Sequence, residues 1–210
     1  SASTARSAWR RSERAHRARS RRPNSSTSGL GPQVRLVGGD IIHELEEFGN
    51  HSEGDRMTDS ILYARDGALA RLTFNRPASL NAMGFAMGQR WRDLAHEITG
   101  DDGIGAILID AVGPAFCAGG DVVEMSTSGA SGTEVTAMAR VIHDGIRTFV
   151  SSDKPIVAAV QGAVAGGGLG LMLTADYIVA SPRAKFVSRY ANIGLTPDLG
   201  VSTLLPAARR

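Results

Sequence analysis

Two glycine-rich turns are the stretches of this sequence whose residue types could do chemistry. One is Gly119-Gly120, and the other spans residues 162–170 and includes three consecutive glycines at 166–168. Each follows an apolar run and opens a helix or a bend, so peptide N–H groups there lack a partner within secondary structure. Two such donors fixed near one point would form an oxyanion hole, which stabilises negative charge on a carbonyl oxygen.

Other glycine-rich motifs bind phosphate groups, and the spacing here matches neither of the common ones. A dinucleotide fingerprint needs Gly-x-Gly-x-x-Gly, and a P-loop needs Gly-Lys-Ser/Thr after its glycines; neither occurs in the sequence. Glycines also permit close packing of a helix on a strand. That structural explanation stays open for either turn taken alone.

Apolar periodicity predicts the elements that must hold these turns. An Asp66-Gly67 pair between two alternating runs predicts a hairpin. Amphipathic helices are predicted over 81–99 and 134–150, a mobile loop over 126–133, and a helix from the second glycine turn to about 175. A last helix is predicted after the turn at 194–200. The predicted strands are 61–65, 68–74, 105–111, 156–160 and 177–180.

Composition divides the 210-residue chain into two unlike parts. Residues 1–38 hold nine arginines against one acidic residue, whereas the part from Met57 onward holds 13 basic and 14 acidic residues. A single cysteine, Cys117, excludes an internal disulfide framework and a cysteine-based zinc site, as expected in a reducing compartment. No uninterrupted apolar run is long enough to span a membrane.

Residues 1–56 are expected to form a disordered basic extension, because they are poor in apolar residues and show no sustained period. Three interpretations stay open: translation upstream of a true start at Met57, an organellar transit peptide, and a nucleic-acid-binding arm. We expect a cytoplasmic protein, or a mitochondrial one if residues 1–38 are a transit peptide.

The two glycine segments resemble the signature segments of the crotonase superfamily, the enoyl-CoA hydratase/isomerase family. The similarity lies in residues 115–122 (AFCAGGDV) and 155–168 (PIVAAVQGAVAGGG), and also in 75–77, 80–82 and 175–180. It implies an α/β fold built as a spiral of β-β-α units, with residues 57–210 as an acyl-CoA-binding core. Because members of the family continue for further helices beyond this point, we expect a chain that lacks the C-terminal helical region.

The resemblance also implies a site. The oxyanion donors would be the N–H groups of Gly120 and Gly167, and the thioester of acyl-CoA would be the substrate, with no metal ion and no other cofactor. A full-length protein would form a homotrimer or a dimer of trimers, and no membrane or nucleic-acid partner is expected. The implied substrate-binding residues are Ala78, Leu80, Ala118, Asp121 and Val122.

The reaction is less specific, since hydratases of this family use two glutamates that are absent here. Their positions hold Gly170 and Tyr190, which leaves Asp198 as a candidate single base for double-bond isomerisation. Asp198 could instead cap the last helix. A hydratase-like lyase and a catalytically silent CoA- or RNA-binding relative are the alternative functions. No chemical role is expected for His96, His143 or Cys117.

Overall fold

The computed structural model describes residues 33–36, 59–188 and 190–208. Short 3-10 helices lie at Pro77–Ser79 and Tyr190–Ile193. The strands are β1 Gln33–Leu36, β2 Ile61–Asp66, β3 Leu69–Phe74, β4 Ala106–Ala111, β5 Ala115–Cys117, β6 Ile156–Val160, β7 Ala163–Ala165, β8 Tyr177–Ala180 and β9 Lys185–Val187. The helices are α1 Phe85–Gly100, α2 Val122–Thr127, α3 Gly132–Ser151, α4 Gly167–Met172 and α5 Val201–Ala207.

A six-stranded sheet in the order β1-β8-β6-β4-β3-β2 forms the main layer. Only the β2–β3 hairpin is antiparallel; β3, β4, β6, β8 and β1 pair in parallel. The central strands consist almost wholly of apolar residues, as expected for parallel strands that are covered on both faces. The register places Ile107 opposite Ile156 and Ala158 opposite Ile178.

A second, three-stranded parallel sheet has the order β5-β7-β9, and its strands alternate along the chain with strands of the main sheet. Each of its strands directly follows a strand of the main sheet, so β4 leads to β5, β6 to β7 and β8 to β9. A helix follows each of these pairs, which gives a repeated β-β-α unit and confirms the expected spiral. Because β5 and β7 are parallel neighbours, the turns that follow them lie at the same edge of the small sheet.

Large aromatic side chains join the two sheets to the helices. Phe74 of β3 contacts both Trp91 of α1 and Phe116 of β5, with ring centroids 6.0 and 5.2 Å apart. Trp91 in turn packs on Phe149 of α3, with centroids 4.9 Å apart. All four side chains are fully buried. Tilted aromatic pairs of this kind stabilise a core beyond the burial of their apolar area, so the small sheet is held firmly against the rest of the fold.

The predicted hairpin, the central strands and the two long helices are confirmed, with shifts of a few residues at their ends. The first helix begins at Phe85 rather than 81, because Leu80 and Asn81 adopt left-handed backbone conformations (φ 51° and 54°) that a right-handed helix cannot contain. Helix α4 ends at Met172, three residues before its predicted end.

Two sequence expectations are wrong. Part of the predicted loop over 126–133 belongs to helices, since α2 runs to Thr127 and α3 begins at Gly132; Asp121 caps the former helix by accepting a hydrogen bond from the Glu124 N–H at 3.0 Å. The second glycine stretch is not one turn that leads directly into a helix, because residues 163–165 within it form β7. Strands of three residues carry too little sequence for a period to be recognised.

The predicted basic extension over 1–56 lies outside the described residues, apart from β1. This strand pairs in parallel with β8, with Gln33 opposite Tyr177, although no strand was predicted in residues 1–56. Its pairing depends on backbone hydrogen bonds, which require no side-chain period. Within residues 59–188 and 190–208, no helix is both long enough and apolar enough to cross a membrane.

Candidate active site

The loop before α1 is anchored by the buried side chain of Asn81. Its amide nitrogen donates to the carbonyl oxygens of Val112 and Ala115 at 2.9 and 2.8 Å, and its amide oxygen accepts from the Arg76 N–H at 2.7 Å. The side chain is fully inaccessible to solvent. Since each polar atom of Asn81 has a partner, the loop is held at a defined position beside the junction of β4 and β5.

The first glycine turn is joined to that loop by backbone hydrogen bonds. Three bonds of 2.7–3.1 Å connect residues 118–121 with residues 80–83. Gly119 has φ +103°, a conformation that side chains rarely permit. The following N–H, that of Gly120, donates to no acceptor in the described part of the chain. The turn therefore presents a fixed peptide donor whose hydrogen bond is unused.

The second glycine turn lies directly against the first. A Cβ added to Gly119 would stand 2.9 Å from the Ala165 carbonyl oxygen and 3.3 Å from the Gly167 nitrogen, so the two turns are in van der Waals contact. Gly167 is buried, and among the described residues its N–H also has no acceptor. The structure thus brings the two predicted donors, Gly120 and Gly167, to adjacent turns at one edge of the small sheet.

A cavity of about 730 Å³ opens beside the first turn. Part of its rim is apolar, since Leu80, Val122 and Val123 are 44%, 54% and 69% exposed. Gly167 and Asp198 are not among its lining residues. The lining does include all five predicted substrate-binding residues together with the first candidate oxyanion glycine: Ala78, Leu80, Ala118, Asp121, Val122 and Gly120.

Two charged side chains in the wall of this cavity, Arg76 and Asp121, form an ion pair with each other. Arg76 forms an ion pair with Asp121 at 2.9 Å and donates to the Ala82 carbonyl oxygen at 2.6 Å. The Glu124 N–H, and then Arg76, hold the pKa of Asp121 below its usual range, so this carboxyl group stays ionised. Arg76 and Asp121 therefore stabilise the cavity wall and the start of α2.

The candidate base, Asp198, lies next to Gly167, the second candidate oxyanion glycine. Its Oδ1 is 3.8 Å from the position that a Cβ on Gly167 would take, and it accepts a 2.7 Å hydrogen bond from the Tyr190 hydroxyl. The alternative that Asp198 caps the last helix is wrong. The N-cap of α5 is Gly200, and no side chain caps it.

Leu199 explains why no glutamate stands at position 170. Its side chain, which is 4% exposed, lies 2.5 Å from the place of a Cβ on Gly167, and its carbonyl oxygen occupies the place of a Cβ on Gly170. Leu199 reaches this position with a left-handed backbone conformation, φ +45°. Any side chain at 170 would therefore collide with the main chain of the turn that carries Asp198.

Two residues near Asp198 have surroundings that the sequence did not indicate. His143 in α3 is half-buried; burial lowers its pKa, while the charge of Asp198 opposes that shift. Nothing in the helical period of α3 shows that this residue approaches a turn some fifty positions later. Tyr190 could have been recognised as a site residue from the sequence, because it occupies the position of the second expected glutamate.

Cys117 is fully buried, and burial raises its pKa to about 12, which agrees with the absence of a nucleophilic role.

Comparison with known proteins identifies the family to which this arrangement belongs. A model of the enoyl-CoA hydratase/isomerase family matches residues 69–210. The chain belongs to the enoyl-CoA hydratase/isomerase family. Among solved structures, it resembles one described as an enoyl-CoA hydratase/isomerase family protein from Hyphomonas neptunium, with a TM-score of 0.67 and 32% identity over 73% of this chain and 59% of that one.

Relatives within the family carry names of different reactions. The chain is 33% identical to the probable enoyl-CoA hydratase EchA14 of Mycobacterium tuberculosis and 32% identical to the 1,2-epoxyphenylacetyl-CoA isomerase of Escherichia coli, in each case over 71% of this chain and 58% of the relative. It is also 32% identical to the trans-2-decenoyl-[acyl-carrier-protein] isomerase of Streptococcus mutans, over 70% of this chain and 57% of the relative. The chain therefore spans less than two thirds of the length of these relatives.

Proposed function

We propose that the protein is an acyl-CoA enzyme that moves a carbon–carbon double bond through a thioester enolate, with Asp198 as its single base. In a 3-enoyl-CoA, the Asp198 carboxylate removes a proton from C2, and the electron pair delocalises onto the thioester oxygen. The same carboxyl group returns the proton at C4, and the double bond then lies between C2 and C3. This proposal is supported by the position of the Asp198 carboxylate, whose Oδ1 lies 3.8 Å from the place that a Cβ on Gly167 would take.

The charge of the enolate is held by the N–H groups of Gly120 and Gly167. Both are without an acceptor among the described residues, and they lie on adjacent turns that are fixed by backbone hydrogen bonds. Loss of one such donor typically lowers the rate by about 10²–10³. The scheme requires neither a metal ion nor a bound cofactor, because peptide dipoles supply the electrophile and one carboxyl group carries the proton.

The thioester arm fits the cavity beside the first turn. Its apolar rim, with Leu80 and Val122, would cover the pantetheine chain, and its inner end reaches Gly120. In this orientation the thioester carbonyl oxygen lies between the two glycine turns, and C2 faces the turn that carries Asp198. The arm and the base thus approach the same carbonyl from different elements of the fold.

Replacing Asp198 by asparagine tests the proposal. Asparagine has nearly the same shape but cannot accept the C2 proton, so turnover of a 3-enoyl-CoA should fall by at least about 10², the usual contribution of a general base. Binding of a saturated acyl-CoA should change by no more than about twofold, because no CoA contact is assigned to Asp198. Asp153→Asn, at an exposed position in the loop before β6, is the matched control. Retention of wild-type turnover by Asp198→Asn would refute the proposal.

The same assay separates the two alternative functions. A hydratase-like lyase would add water to a 2-enoyl-CoA, which requires a paired acid and base around one water molecule. The Leu199 carbonyl blocks a side chain at position 170, and Tyr190 stands in place of the second glutamate, so we expect hydration to be absent or very slow. A catalytically silent relative would bind the thioester and convert neither substrate.

A further inference from the structure

Tyr190 makes the one side-chain contact that the structure gives Asp198 among the described residues. The tyrosine is 5% exposed and begins the 3-10 helix Tyr190–Ile193. Its hydroxyl lies 2.7 Å from Asp198 Oδ1 and 3.4 Å from the main-chain oxygen of the same residue. Because packing fixes the ring, the hydroxyl is a stationary donor on which the carboxylate can be oriented.

We infer that Tyr190 is a positioning residue, which holds the Asp198 carboxylate against the second oxyanion turn through its hydroxyl group. The inference rests on the proposed function, since it assigns a role to a neighbour of the proposed base. Only Oδ1 receives the phenol hydrogen bond. Oδ2 accepts no hydrogen bond from a described residue, so it is available to take the proton from C2 and to return it at C4.

Asp198 needs such an anchor because it lies at the surface. The residue is exposed and precedes Leu199, whose left-handed backbone conformation ends the turn. An exposed carboxylate samples several rotamers, and only a few of them would place an oxygen near the substrate. A hydrogen bond to the carboxylate selects among these rotamers, and reactions that depend on a near-attack geometry are sensitive to displacements of about 1 Å.

The electrostatics of the pair keep tyrosine in the role of donor. Burial, and then the hydrogen bond to Asp198, raise the pKa of Tyr190 well above its usual range, so the phenol retains its proton wherever the enzyme would operate. Burial lowers the pKa of His143, so this imidazole is neutral at pH 7 and brings no cation to Asp198. The buried thiol of Cys117, which lies near Tyr190, is likewise neutral because burial raises its pKa to about 12.

Tyr190→Phe removes one oxygen atom and leaves the packing of the ring in place. We expect kcat for the 3-enoyl-CoA to fall about tenfold, the equivalent of one charge-assisted hydrogen bond, with KM changed by no more than about twofold. A merely structural tyrosine would leave kcat at the wild-type value.

Three further variants separate failure of the inference from failure of the proposed function. If Asp198→Asn is as active as wild type, both are overturned. If Asp198→Asn is inactive while Tyr190→Phe keeps the wild-type kcat, only the inference is overturned. Tyr177→Phe, in β8, is the matched control and should match wild type. The double variant Asp198→Asn/Tyr190→Phe should be no slower than Asp198→Asn alone, because the phenol acts only through the carboxylate.

A second measurement avoids any loss of packing or folding in the phenylalanine variant. Site-specific replacement of Tyr190 by 3-fluorotyrosine keeps the hydroxyl group and places a fluorine nucleus beside it. The fluorine NMR resonance should shift when Asp198 is replaced by asparagine but not when Asp153 is, because the Tyr190 hydroxyl donates its hydrogen bond to Asp198. A resonance that Asp198→Asn leaves unchanged would overturn the inference even if Tyr190→Phe does not fold.

Discussion

Replacing Asn81 by alanine should destabilise the fold by about 3 kcal/mol. The side chain is fully buried and makes three hydrogen bonds of 2.7, 2.8 and 2.9 Å, to the N–H of Arg76 and the carbonyl oxygens of Ala115 and Val112. At a net value of about 1 kcal/mol for each bond, their loss gives this sum, and the buried Ala115 carbonyl oxygen would be left without a partner. Urea denaturation, with the midpoint and the slope measured together, gives the free energy of unfolding.

In a thermal scan the same loss should lower Tm by roughly 6–12 °C for a domain of this size. Asn81→Asp keeps the acceptor for the Arg76 N–H but turns a carboxylate oxygen towards two carbonyl oxygens. It should therefore be at least as destabilising as alanine. Asn192→Ala, at an exposed position, is the control and should change stability by less than about 0.5 kcal/mol. A loss below about 1 kcal/mol in Asn81→Ala, or an aspartate variant more stable than the alanine one, would refute the reasoning.

Two further predictions concern the packing around the glycine turns. Gly170→Ala should lower both Tm and turnover, because its methyl group would collide with the Leu199 carbonyl oxygen. Overpacking of this kind destabilises a fold by about 1–3 kcal/mol. The control is Gly100→Ala, which should leave Tm unchanged or raise it because the space at its Cβ is open. Equal Tm values for the two variants would contradict this. Cys117 should resist alkylation by iodoacetamide at pH 8 until urea unfolds the chain, because burial raises the pKa of its thiol to about 12. Mass spectrometry follows the alkylation. Since the folded thiol keeps its proton to higher pH than the unfolded one, the free energy of unfolding should also fall as the pH rises from about 9 to 12.

Sequence patterns predicted those parts of the fold whose signals are contiguous along the chain. The hairpin turn at Asp66-Gly67, the apolar strands of the main sheet and the amphipathic helices each carry a local period or a turn motif. The two glycine turns were also visible in the sequence, and the structure places Gly119 against Gly167. The parallel pairing of β5 with β7, which brings the turns together, was not predicted because both strands are only three residues long.

Contacts between residues distant in sequence could not be predicted in this way. The left-handed conformations of Leu80 and Leu199 depend on what surrounds them, since neither residue type favours φ > 0. The approach of His143 to Asp198 arises from the packing of α3 near a turn that follows much later in the chain. The sequence offered two roles for Asp198, base and helix cap, and the second is removed by the position of the N-cap of α5, which is Gly200.

The missing glutamate and the available aspartate follow from one packing arrangement. Leu199 fills the space beside Gly167 with its side chain and the space beside Gly170 with its carbonyl oxygen. Because the Leu199 carbonyl oxygen fills that space, a carboxylate side chain cannot project from position 170. The same seating carries the preceding residue, Asp198, to within 3.8 Å of where a Gly167 side chain would begin. A larger residue at 167 or 170 would therefore push the Asp198–Leu199 turn out of its place, so the position of Asp198 depends on both glycines. A glutamate introduced at 170 should displace Asp198, and the site would then not contain two correctly placed carboxyl groups.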